Sequence, residues 1–101
     1  MRGYRLTEQA DRDLDEIIDW LLAESIDAAL HVRAKLDAAF DRIARLPRIG
    51  HRREDLTDED VRFYAVFDWL VVYRETDRVE IVAVVHGARD VRRVLRRRRS
   101  S

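Results

Sequence analysis

His86 stands in the run Val85-His86-Gly87-Ala88-Arg89-Asp90, three residues before a guanidinium. An imidazole exchanges protons near neutral pH, and an arginine fork holds phosphate. With Arg62 and Arg74, these two residues are the candidates for proton transfer and phosphate contact. Each residue also has a structural reading: His86 as a strand-end side chain bonded to local backbone, the arginines as partners of carboxylates at a sheet edge. No tyrosine or lysine follows Val85.

Metal chemistry finds little support. His31, His51 and His86 are spread without ligand spacing, and there is no cysteine to supply a thiolate. Asp11, Asp15 and Asp19 recur every four residues, the pattern of a solvated helix face. No metal site is expected.

A second group of residues suits binding. Trp69 falls among strand-like residues and is assigned to the core, whereas Trp20 lies off the apolar stripe of its helix and is assigned to partner contact. Arg89, Arg92, Arg93 and Arg96 open an arginine-rich end. That end can attract a polyanion or an acidic segment at long range, or be a solvated tail.

The elements that must carry these residues are legible from periodicity. Tyr4-Arg5-Leu6 reads as a short strand and Thr7 as a helix N-cap. Ala10, Leu14, Ile17, Ile18, Leu21 and Leu22 recur at helical spacing from Glu8 to about Glu24, with Asp11, Asp13, Asp15, Glu16 and Asp19 between them. A second stripe, Ala29 to Leu46, predicts a helix over 27–46 that pairs with the first as a hairpin. Pro47 and Gly50 stop it, making Leu46 the last expected core contact before a charged loop, Arg48 to Asp60.

From Val61 the pattern turns β-branched and aromatic. It predicts strands over 61–66, 69–74 and 79–85, joined by connections short enough to force antiparallel neighbours. The last two strands are apolar on both faces, so they are expected to be central and covered by the helical hairpin on one side. A short helix over 88–97 follows Gly87.

This amounts to an α+β fold: an N-terminal strand, a helical hairpin, a three-stranded antiparallel meander and a short C-terminal helix. One domain over 1–101 is expected, with 97–101 as a flexible basic tail.

Composition sets outer bounds. Apolar residues make up 47% of the 101 and charged residues 40%, enough for a core inside a charged surface. The formal net charge of zero hides an asymmetry: fifteen carboxylates and ten basic side chains precede Val61, against five and ten from Val61 onward. Absence of cysteine, of an apolar signal core and of a run near the roughly 20 apolar residues of a membrane helix leads to an expectation of a cytoplasmic protein.

The element order, the Tyr4-x-Leu6-Thr7 opening, Leu46-Pro47-x-x-Gly50, Tyr73-Arg74 and the His86-Gly87-Ala88-Arg89-Asp90 run together resemble the ParE branch of the ParE/RelE toxin superfamily over nearly the whole chain. The resemblance implies a RelE/ParE-like fold, no cofactor, and a toxin of a type II toxin-antitoxin system. It further implies a ParD-like antitoxin that wraps the toxin in a hetero-oligomer, and DNA gyrase as the target, with DNA contacted indirectly on the enzyme. RelE-type relatives are ribosome-dependent mRNA endonucleases that use clustered basic residues with a catalytic tyrosine, histidine or glutamate. Such cleavage needs a base for the ribose 2′-OH, charge on the crowded phosphate and an acid for the leaving oxygen. Here that set is incomplete, with His86, Arg62, Arg74 and Arg89 as the phosphodiesterase candidates, so endonuclease action is the alternative to gyrase inhibition. A third possibility is an inactive relative retained as an antitoxin-binding subunit.

Overall fold

The computed structural model describes residues 3–100. Expectations for Met1, Arg2 and Ser101 fall outside that range. Thr7 closes strand β1 (Tyr4–Leu6) and opens helix α1 (Glu8–Glu24). Its hydroxyl accepts the Ala10 N–H at 3.1 Å, satisfying one of the amides a helix leaves unpaired at its start. Ser25 serves two helices at once. Its N–H donates to the Leu21 carbonyl at the end of α1, and its Oγ accepts the Ala28 N–H at 3.2 Å at the start of α2 (Ile26–Arg45).

Strands β2 (Arg62–Val66), β3 (Trp69–Glu75) and β4 (Val79–His86) form the expected antiparallel meander. β1 adds to it in parallel, giving the order β1-β4-β3-β2. β3 and β4 are therefore central, as their two-faced apolar pattern requires. The register of β3 against β4 shifts once, since Val72 faces Ala83 and Tyr73 faces Ile81, leaving Val82 as an extra residue. Such a bulge reverses the alternation of side chains along its strand. Val79, Ile81 and Val84 consequently pack with the helical hairpin, while Ala83 and Val85 pack on the opposite face.

Each sheet face has its own core. Leu14, Leu36, Phe40 and Ile43 of the hairpin cover Val71, Tyr73 and Ile81. On the other face, Val91 and Leu95 of helix α3 (Val91–Ser100) cover Phe63, Val72 and Val85, with Leu56 of the charged loop packed beside them. This second layer explains why β3 and β4 lack a polar face.

Two departures from expectation concern chain ends of helices. Leu46 is 55% exposed, and Ile49 packs against the core in its stead. The backbone leaves helical geometry at Leu46 (φ −131, ψ 72), so its side chain departs from the stripe of α2. The C-terminal helix starts at Val91, because Gly87 to Asp90 form a turn, and it runs to Ser100. Over the described part of the segment expected as a tail, 97–100, α3 continues: Arg98 is bonded to Asp13 of α1, and Arg99 pairs with Asp58 of the loop.

Tyr73 joins two sequence features that lie far apart. Its hydroxyl donates to the Pro47 carbonyl at 2.7 Å and accepts the Gly50 N–H at 2.8 Å. A Cβ at Gly50 would sit 2.5 Å from that oxygen, so only glycine permits the approach. Leu46-Pro47-x-x-Gly50 and Tyr73 are one clip holding the end of α2 to the sheet. Burial pushes the Tyr73 phenol above its ordinary pKa, and the Gly50 amide partly offsets this.

Candidate functional site

The run from His86 to Asp90 is a strand-to-helix corner. The Gly87 N–H donates to the Asp68 carbonyl at 2.7 Å, bringing the end of β4 onto the β2–β3 turn. His86 Nδ1 accepts the Ala88 N–H at 3.0 Å, and the His86 carbonyl accepts the Arg89 N–H at 3.1 Å. Asp90 Oδ1 then accepts the Arg93 N–H at 3.1 Å, capping α3. The bond at Nδ1 leaves Nε2 as the only His86 nitrogen able to meet a ligand. The ring stands edge-on to Trp69 at 5.7 Å.

His86 faces the hairpin because of the bulge at Val82, which turns the end of β4 toward α1. The result is a groove of about 430 Å³ lined by Trp20, Ile17, Glu16, Trp69, His86 and Arg89, with Asp13 and Val84 at its floor. Three residues singled out from sequence for different reasons, Trp20, His86 and Arg89, meet there. Trp20 is 62% exposed, and Trp69 at 8% belongs to the core as expected. β1 pairs with β4 only at Val79 to Ile81, so the β4 edge beside the groove, beyond Val82, has no neighbouring strand.

Arg62 and Arg74 lie elsewhere. In β3, Trp69 is opposite His86 while Arg74 is opposite Glu80, five residues along. At about 3.3 Å per residue that is roughly 17 Å. Arg62 donates to the Gly50 carbonyl at 3.0 Å. Arg74 and Arg5 both hold the buried Glu80 carboxylate, through Nε at 2.7 Å and a guanidinium nitrogen at 2.7 Å. Both candidates thus have structural partners, and the four residues of the phosphodiesterase set do not converge.

Asp13 was grouped by sequence with the acidic face of α1. It is instead 4% exposed and joins three elements. One carboxylate oxygen accepts the Val84 N–H at 3.0 Å, and the two together take the Arg98 fork at 2.7 and 2.8 Å. Gln9 adds a bond at 3.2 Å. A signal for this existed, since position 13 follows Ala10 by three and precedes Ile17 by four, placing it on the apolar stripe. Its cation, 85 positions later, had no local signal.

The remaining candidates separate. Arg92 and Arg96 line a cleft between α3 and the acidic loop carrying Glu54, Asp58 and Glu59. Arg93 and Arg97 are exposed, and so is Arg89 at the groove. His31 rests against Phe67, ring centres 5.7 Å apart, and His51 bridges to Phe63. Among the described residues no three His, Cys, Asp or Glu side chains are grouped to hold a metal ion. No described helix is long and apolar enough to cross a membrane.

Comparison with known proteins bears on the family and the fold. Toxin ParE1 of Caulobacter vibrioides is 34% identical over 95 residues, covering 91% of this chain and 96% of the relative. A solved structure titled chromosomal ParDE TA system from P. aeruginosa shares the fold, with TM-score 0.69 over 85% of this chain and 96% of that one, at 19% identity. The family model described as the ParE toxin of type II toxin-antitoxin system, parDE, matches residues 4–91, and the chain belongs to that family of ParE toxins.

Proposed function

We propose that this ParE-family toxin acts in the cytoplasm on DNA gyrase, trapping the enzyme on cleaved DNA without chemistry of its own. In the same proposal a ParD-like antitoxin silences it as a hetero-oligomer by seating an apolar residue against Trp20. The observation that carries the reading is the groove itself. A large aromatic side chain, 62% exposed, borders a groove with Ile17, Trp69 and Val84 in its lining, beside the end of β4 that β1 does not cover, the features of a protein-docking anchor rather than of a reaction centre. Family membership supports gyrase as the target. No cofactor enters the reading, and DNA is met on the enzyme.

The endonuclease reading draws on one observation, that His86 and Arg89 line the same groove. Against it stand the engagement of His86 Nδ1 and the removal of Arg62 and Arg74 to the far end of the sheet. The experiment is induction in a host carrying a reporter plasmid. Relaxation of the plasmid and DNA breaks with intact mRNA support gyrase poisoning. Cut mRNA with normal plasmid topology, abolished by His86→Ala, supports the endonuclease. Failure to harm any host supports an inactive antitoxin-binding subunit.

A further inference from the structure

We infer that the outer face of α3 is a contact for the phosphodiester backbone of nucleic acid, made by Arg93 and Arg97. α3 carries six arginines and no acid. They divide by direction. Arg98 turns inward to Asp13, and Arg99 turns to Asp58. Arg92 and Arg96 line the cleft against the acidic loop. Arg93 and Arg97 point roughly half a turn away from the buried Val91, four residues and about 6 Å apart along the axis. Among the described residues neither these two side chains nor that of Arg89 has a hydrogen bond or ion pair, although the whole chain holds equal numbers of acids and bases. The stripe is uncompensated where its neighbours are neutralised.

The absence of apolar residues decides between partners. The large exposed apolar side chains are Trp20, Leu22, Ile26, Leu30, Leu46 and Phe67, and none lies on α3. Protein interfaces are anchored by aromatic and aliphatic groups, whereas nucleic-acid contacts are polar, positive and built on arginine–phosphate forks. The hairpin side fits a protein, and α3 fits a polyphosphate. This inference stands apart from the gyrase reading, because binding to nucleic acid is read without any enzyme present.

The test is fluorescence anisotropy with the full chain and a labelled random-sequence duplex, as DNA and as RNA, from 50 to 200 mM salt. Two phosphate contacts predict about a 12-fold loss of affinity across that range. The double variant Arg93→Gln/Arg97→Gln removes both contacts and should bind far more weakly, with little dependence on salt. The control Arg12→Gln/Arg33→Gln removes the same charge from arginines already paired with Glu8 and Asp37, and should behave as the unmodified chain. Duplex binding of either kind that depends on Arg93 and Arg97 supports the inference. No duplex binding, equal loss in the control, or preference for a polyglutamate peptide over both duplexes overturns it.

Discussion

Asp13 ties three elements with one buried carboxylate: α1, the β4 edge and α3. Removing one partner of a buried pair leaves the other charge without compensation, which costs about 3–5 kcal/mol. Asp13→Ala should therefore lower unfolding free energy in urea by about 3 kcal/mol. Asp13→Ala with Arg98→Met should recover part of that, since the double change strands no charge. Equal losses for single and double variants would mean that the pair is not coupled. Tyr73→Phe leaves the buried Gly50 N–H and the Pro47 carbonyl unpaired, and should cost about 1–3 kcal/mol in the same assay. The phenol is the neutral form favoured by burial, so its folded pKa lies above the unfolded 10.0. Its contribution is present below pH 10 and is lost as pH rises through the folded value. Urea denaturation at pH 9 and pH 11 should show that loss in the unmodified chain and not in Tyr73→Phe.

At the scale of elements, the helices, strands and their order followed from apolar spacing and caps, because those signals are local. Thr7 as N-cap, the hairpin and the antiparallel meander needed no distant information. Three features had none to offer locally. The bulge at Val82 appears only when β4 is laid against β3, the second core requires knowing that α3 packs on the sheet, and the length of α3 depends on Arg98 reaching Asp13. An isolated run of arginines reads as solvated for lack of that partner. A chain ending at Arg97 discriminates the two descriptions of this segment. Loss of a solvated tail shifts stability by no more than about 0.5 kcal/mol. Loss of the Arg98 fork should approach the Asp13→Ala value, and a shift under 0.5 kcal/mol would restore the tail. The candidate site was legible only as separate residues. Trp20, His86 and Arg89 were each named, but their meeting depends on the bulge, and Arg62 and Arg74 were included because strand position alone cannot place them at the far end of the sheet.

For the whole molecule, charge and apolar surface are divided by side. α1 carries seven carboxylates and a single arginine on the hairpin flank, while α3 carries the arginines. The two meet inside at Asp13–Arg98 and remain separate outside. We expect residues 1–101 to unfold as one unit, with coincident transitions by tryptophan fluorescence and circular dichroism. Arg99 beside Asp58 holds that carboxyl below its ordinary 3.8, so the loop-to-α3 tie contributes above pH 3.8 and is lost as pH falls through the lower folded value. NMR titration of Asp58 should give a midpoint below 3.8, returning to the ordinary value in Arg99→Gln. Trp20→Ala should weaken antitoxin binding by at least about 2 kcal/mol while leaving stability within about 0.5 kcal/mol, because the ring is exposed. Unchanged antitoxin affinity would move the docking site away from the groove.

The measurement closest to the central claim is supercoiling of relaxed plasmid by purified gyrase with rising toxin, with protein-linked DNA breaks scored after detergent and protease. The account predicts falling supercoiling and accumulating breaks, both abolished by prior addition of the cognate antitoxin. Full supercoiling and no breaks at excess of active toxin would contradict it.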